Sequence, residues 1–286
     1  MDCFTRGTDR HEMKILYALE RTIAYLFYCT GIYWVRRRLL VKRGASVVLV
    51  YHRVLDGRRT DGEMVGEDAF EWQMRYLSTH FVPVDWRSMS ETPEKRGEIR
   101  VLVTFDDGYR DNFTRALNIV EAHGVPSVFF VVTRFVFGRQ PIEGDEVNAE
   151  AIPTIDHLRS AAQSDWTVLG NHTASHRIVS HLGREEIELE LEESQNSFHE
   201  ALGITPDLFA YPRGRKQDVT RRAIPVLEKH GIKAAFTMVP GRVDSQTDPY
   251  LVPRIGMSHV QDKVVFKVKA IGLLGPLTNL KNRLFA

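Results

Sequence analysis

The sequence predicts an α/β protein built on a parallel sheet, either open or closed into a barrel. Short β-rich runs recur through the middle of the chain, among them ASVVLVY, RVLVTF and SVFFVV. Between them lie stretches with helical periodicity, and strands that alternate with helices indicate parallel pairing. At 286 residues the chain is long enough for one large domain with a substantial core.

The elements follow in order. Ala45 to Tyr51 is the first strand, and a polar loop with Asp56, Gly57 and Asp61 follows it. Glu67 to His80 places Phe70, Met74 and Leu77 on one helical face. Arg100 to Phe105 is a strand, Arg110 to His123 a helix and Ser127 to Val132 a strand. Gly138 to Glu150 is acidic and irregular and reads as a surface loop or lid. Ile155 to Ala162 is helical and Trp166 to Gly170 a short strand. Arg184 to Leu202 is a charged helix whose apolar side carries Ile187, Leu191 and Phe198. Leu208 to Tyr211 and Lys233 to Met238 are strands around a helix from Asp218 to His230. In such sheets function gathers at the carboxyl ends of the strands.

Composition narrows the classes. Hydrophobic residues at 43% and charged residues at 26% are ordinary for a globular protein. Lys+Arg 38 against Asp+Glu 37 gives no global basic character, so nucleic acid is not an expected partner. Cys3 and Cys29 alone make neither a disulfide framework nor a thiolate metal site.

The two ends depart from this average. Thr22 to Val35 is uncharged and aromatic-rich, and Arg36, Arg37, Arg38, Lys42 and Arg43 follow. A spanning helix needs about 20 apolar residues, and reaching that length here takes in Glu20 and Arg21. The charge follows the apolar run, unlike a secretory signal. Residues 1–44 therefore read as a monotopic anchor, a tilted spanning helix, or a helix packed on its own domain. Residues 263–286 lack acidic residues and alternate Lys263, Lys267, Lys269, Lys281 and Arg283 with apolar ones. That pattern suits either an anionic lipid surface or a solvated basic face. The catalytic unit is expected over 45–262. If both ends lie on one membrane, the arginine cluster favours the cytoplasmic face of a bacterial inner membrane.

Two clusters carry chemistry. Asp106 and Asp107 stand where RVLVTF ends and Gly108 turns the chain. Adjacent carboxylates point different ways, so one can bind metal while the other stays free as a base; alone, the pair reads equally as a turn. His172 and His176 lie four apart just past another strand and can present two imidazoles to one ion; alone, the pair also reads as a chance spacing in a chain with 11 histidines. With a carboxylate they form a set that leaves positions open for water and substrate.

Together the clusters resemble the polysaccharide deacetylase family, the NodB-homology domains also called carbohydrate esterase family 4. Thr104-Phe105-Asp106-Asp107-Gly108-Tyr109 is similar to the first family motif, His172-Thr173-Ala174-Ser175-His176 to the second and Tyr211-Pro212-Arg213-Gly214 to the third. The resemblance covers roughly Val47 to Gly256. It implies a distorted (β/α) barrel of parallel strands with one divalent ion, usually zinc, held by Asp107, His172 and His176. Asp106 would be the general base, and the Arg213 N–H, after Tyr211 and Pro212, would help hold the oxyanion.

The general acid is implied to be a histidine. His52, at the tip of the first strand, resembles that of a rearranged subgroup; His259 near the domain's end is the alternative. Two positions depart from the family pattern. Ala210 stands where an arginine often fixes the base, and Arg213 occupies a place usually aromatic, offering a cation to a phosphate or acidic sugar. Trp86, Phe130 and Trp166 read either as stacking surfaces for a sugar or as core aromatics at strand ends.

The expected activity is metal-dependent de-N-acetylation of an N-acetylhexosamine, in a lipid-linked sugar or a surface polysaccharide, at a membrane surface. The alternatives are a periplasmic or secreted deacetylase, a deformylase of a lipid-linked amino sugar, and a non-catalytic glycan-binding protein.

Overall fold

A computed structural model describes residues 7–57, 64–91, 96–142, 149–257 and 259–284. Its strands are β1 (Ser46–Tyr51), β2 (Arg53–Leu55), β3 (Met64–Gly66), β4 (Val82–Pro83) and β5 (Arg100–Phe105). β6 (Ser127–Val131), β7 (Thr167–Asn171), β8 (Leu208–Ala210), β9 (Ala234–Phe236) and β10 (Ile255–Gly256) follow. The main sheet runs β10-β1-β5-β6-β7-β8-β9, with β4 beside the start of β5, and its strand pairs are parallel. β2 and β3 form a small separate pair.

One segment all but closes the ring. Val252 bridges to Phe236 beyond β9, and three residues later Ile255 pairs with Leu49 of β1. The result is the distorted barrel of parallel strands that the sequence implies.

Both faces of the sheet are covered, so β1, β5 and β6 are buried along their whole length. Side chains alternate across each strand. Val48, Leu102, Val128, Phe130, Leu208, Ala234 and Phe236 fill the barrel interior. Val47, Leu49, Val101, Val103, Phe105 and Phe129 face the surrounding helices. Gly170 is required inside the barrel, because a Cβ there would sit 2.4 Å from the Phe130 ring.

Two expected helices are interrupted. The stretch after β5 begins with a π-turn, Asn112–Ala116, before helix Leu117–Ala122. After Asp218 the regular helix is only Ile224–Lys229, because Pro225 is tolerated in a first turn but not in a helix interior. Of the expected loop over 138–150, residues 143–148 lie outside the described residues.

The ends pack on the body. Helix α1 (Gly7–Cys29) and helix α2 (Ile32–Arg43) turn Ala24, Tyr33 and Leu40 into the core that holds β1 and β5. The Tyr33 and Tyr76 hydroxyls lie 2.9 Å apart, and Arg37 donates to the His80 carbonyl at 2.9 Å. Helix Lys263–Ala270 lies against α1 and buries Val265, Phe266, Val268, Lys269 and Ala270. Its apolar side thus faces protein, as the reading of a surface helix with a solvated basic face expects. Lys269 is paired with buried Glu20 at 2.6 Å. No described helix is long and apolar enough to cross a membrane.

Candidate active site

The three sequence clusters meet at the carboxyl ends of β5, β7 and β8. Leu102 and Thr104 give the inward parity of β5, and Asp106 continues it, so its carboxylate enters the barrel mouth. Arg254 meets it there with two hydrogen bonds, Nη1 to Oδ1 at 2.6 Å and Nη2 to Oδ2 at 2.7 Å. This fork-to-fork pair is fully buried on the arginine side. Arg254 also donates through Nε to the Thr237 carbonyl at 2.9 Å, and its guanidinium lies 5.5 Å over the Phe130 ring. Burial disfavours the Asp106 carboxylate, but Arg254, with smaller help from His172 and His52, outweighs it and holds the carboxyl below its ordinary value.

Asp107 takes φ 75°, which turns its side chain away from its neighbour's. Its Oδ1 lies 3.5 Å from His172 Nε2 and 3.4 Å from His176 Nε2. One ligand atom from each of the three falls within 4.8 Å of the others. Burial again opposes the Asp107 charge, and the facing histidines reverse it, so the carboxyl is held well below its usual value. Burial pushes His176 down to about 4, so its imidazole is neutral near neutral pH and available as a ligand.

The surrounding bonds aim these atoms. His172 Nδ1 is 2.8 Å from the Ala210 carbonyl, an arrangement that puts the ring proton on Nδ1 and leaves Nε2 with its lone pair toward Asp107. Thr173 and His176 both have positive φ, at 67° and 63°. The loop is held in this costly shape from behind. The Glu190 carboxylate accepts from the Ala174 N–H at 3.0 Å, the Ser175 N–H at 2.9 Å and the Ser175 hydroxyl. Asn171 Oδ1 accepts from the Thr173 N–H, and Thr173 Oγ1 from the His176 N–H. An oxygen and two neutral imidazole nitrogens, converging with their back sides already bonded, fit a divalent ion.

His52 sits just past β1. Asn112 donates to its carbonyl at 2.6 Å, while Asp111 accepts from the Val54 N–H at 2.8 Å and from Arg53 at 3.0 Å. The π-turn and the residue before it thus present Asn112 and Asp111, which fix the His52 loop. His52 is close enough to act on the charges of Asp106, Asp107 and His176. His259 is elsewhere: its ring stacks on Tyr17 at 4.3 Å and its Nε2 lies 3.2 Å from Glu20. The sequence alternative that places His259 at the reaction is corrected by these contacts with the terminal helices.

In the third motif, the Tyr211 N–H is already given to the Phe236 carbonyl and its hydroxyl to the Tyr250 carbonyl. Pro212 has no N–H. Arg213, exposed and at φ 58°, keeps a backbone N–H with no acceptor among the described residues.

Two of the three aromatic candidates for sugar stacking pack in the barrel interior, and the third lies at the far end of β7. Phe130 is fully buried against Phe236 inside the barrel. Trp86 packs edge-on to Phe236 at 4.9 Å. Trp166 precedes β7, at the end opposite the site, and lies beside Gly124. Sequence reading also missed Arg254, Glu190, Asp111 and Asn112.

Comparisons with known proteins agree with this geometry. The family model described as polysaccharide deacetylase matches residues 94–223. YxkH of Bacillus subtilis (strain 168) is 24% identical over 215 residues, covering 74% of this chain and 71% of YxkH. The poly-beta-1,6-N-acetyl-D-glucosamine N-deacetylase of Escherichia coli (strain K12) is 28% identical over 199 residues, which is 57% of this chain but only 28% of that protein. Among solved structures, IcaB from Ammonifex degensii superposes with a TM-score of 0.64 at 23% identity, over 80% of this chain and 97% of that one, and so shares the fold.

Proposed function

The chain belongs to the polysaccharide deacetylase family, and from that premise we propose that it hydrolyses the acetamide of an N-acetylhexosamine unit. The observation that carries this reading is the convergence of Asp107, His172 and His176 on one point beside a separately held carboxylate, Asp106. A zinc ion held by the three would polarise the amide carbonyl and acidify water at neutral pH.

The remaining steps fall to the chain's own groups. Asp106, kept ionised by Arg254, accepts a proton from the attacking water as its oxygen bonds to the carbonyl carbon. The Arg213 N–H donates to the developing oxyanion. As the C–N bond breaks, His52 gives a proton to the leaving amine, and acetate departs with the water's oxygen. The set is complete, which favours catalysis over a glycan-binding role.

The E. coli relative is named for a polymer of N-acetylglucosamine, and this supports a surface polysaccharide as substrate class. A lipid-linked N-acetyl sugar is the finer alternative, favoured by the exposed Arg213 beside the site, which suits a phosphate. The test is acetate release from an N-acetylhexosamine oligomer and from a polyprenyl-phosphate-linked N-acetyl sugar, with and without zinc. Zinc-dependent release from either that Asp106→Asn reduces by about 10² to 10⁴ supports the proposal, and the better substrate identifies the class. No acetate from either, with zinc bound, would reassign the enzyme to formyl groups or to a binding role.

A further inference from the structure

The terminal hairpin presents two faces of opposite use. Its inner face is packed on the domain through Glu20, Ala24, Tyr33 and Leu40. Its outer face exposes apolar and basic side chains together. Eight of the eleven large hydrophobic side chains exposed among the described residues lie on α1 and α2, including Leu26 at 56%, Trp34 at 55% and Val35 at 62%. Val35, Leu39 and Lys42 fall at helical spacing along one side of α2, and Leu26 and Cys29 lead to it along α1. Scattered single exposures need no explanation, but their concentration on one hairpin, among basic residues, does.

The rim is mostly basic, with Asp262 beside Arg21 at 3.7 Å as an acidic member. Arg21 to Arg43 holds six basic residues and no acidic one. Where α2 ends, Lys42, Arg43, Arg96 and Arg242 line a cleft of about 200 Å³ whose acidic member is Asp244. Asp244 is 3.3 Å from Arg242. Arg36 adds to the crowding: burial first, then Arg242 and Arg43, lowers its pKa. A cluster of cations around a small cleft, at the end of a helix that exposes apolar side chains, suits a phosphate headgroup and acyl chains together.

We propose that this hairpin is a monotopic docking surface for an anionic lipid bilayer, with Leu26, Ile32, Trp34, Val35 and Leu39 entering the interface and the Lys42–Arg43–Arg96–Arg242 cleft receiving a lipid phosphate. Charge decides the occupant. A second copy of the chain across this face would bring two basic rims together, whereas anionic lipid neutralises one. Trp34, exposed and with a polar tip, suits the headgroup level. Because α2 feeds β1 at the end of the sheet opposite the site, its basic cleft lies away from the barrel mouth. The inference does not depend on the reaction catalysed.

Co-sedimentation of the full chain with vesicles of phosphatidylglycerol and phosphatidylethanolamine, against vesicles of phosphatidylcholine alone, tests it. Wild type is expected to bind the anionic vesicles and to be released by high salt. Val35→Glu with Leu39→Glu should lower binding at least about tenfold, and Arg43→Ala with Arg242→Ala should remove the preference for anionic lipid. Unchanged thermal unfolding in both double variants would establish that the fold survives. Three results would overturn the proposal: no vesicle binding by the wild type, binding indifferent to lipid charge, or a lipid-independent dimer that Val35→Glu dissociates. Stabilisation by inorganic phosphate without any vesicle binding would likewise assign the cleft to a soluble anion.

Discussion

Two buried clusters of charge sit in this protein, one at the barrel mouth and one in the seam between the terminal helices. In the seam, Glu20 accepts from Lys269 at 2.6 Å and faces His259 at 3.2 Å, and Tyr17 covers the imidazole. Opposite charges answer one another and the cluster is closed. At the mouth, Arg254, the Ala210 carbonyl and Glu190 bind the site from behind, and the atoms in front, Asp107 Oδ1 and two Nε2, converge on a common point. Closed charge joins elements of the fold, whereas charge satisfied on one side only is arranged to act on something else.

Substitutions at the two clusters should therefore separate activity from stability. The largest effect is expected from Arg254→Met. It leaves Asp106 buried without its partner, at a cost of roughly 3–5 kcal/mol in stability. Because Arg254 lowers the Asp106 pKa, its removal raises that pKa and moves the acid limb of the pH–rate profile to higher pH. An unmoved acid limb would disconnect Asp106 from the rate.

Glu20→Gln makes the converse case. It strands Lys269 and should destabilise by a comparable amount, measured by urea unfolding, while acetate release at a permissive temperature stays within about twofold. Burial opposes the Glu20 charge, but Lys269 and His259 lower its pKa below the unfolded value of about 4.3. The wild-type advantage is thus present above pH ~4.3 and fades as pH falls below it toward the depressed folded pKa. An advantage that persisted unchanged into strong acid would contradict the pairing.

Glu190→Gln touches no ligand, yet it weakens the bonds that hold the Ala174–Ser175 turn. A loss of about 10–100-fold in metal affinity is expected by calorimetric titration. The smallest effect is expected from Trp166→Ala, since the ring lies at the far end of β7: kcat/KM should change by less than about twofold.

Much of the mouth was legible in the sequence because its parts are local. Asp106-Asp107 and His172-x-x-x-His176 each announce themselves within a few residues, and each follows a recognisable strand. Arg254 was not legible: 148 residues separate it from Asp106, and only the near-closure of the ring by Val252 to Gly256 brings them together. Ala210 marked where an arginine was missing, but nothing local says from where the replacement comes. Glu190 was hidden among the other glutamates of Arg184–Leu202, since which one turns inward depends on how that helix docks. The same ambiguity left two readings open for the C-terminal helix. A basic amphipathic pattern gives two faces without saying that Lys269 belongs to the buried one, and its partner Glu20 lies at the other end of the chain. Of the aromatics, Phe130 and Trp86 pack in the interior and Trp166 lies at the far end of β7, which local sequence does not tell from the mouth.

The account rests most directly on the three converging ligands. The chelator-treated protein, titrated with zinc while acetate release is followed, measures this. Activity should return in proportion to added ion and level off at one equivalent, and His172→Ala should fail to recover it at that concentration. Full activity in the chelated protein, or recovery in His172→Ala equal to wild type, would contradict the assignment of Asp107, His172 and His176 as the centre at which the amide is cut.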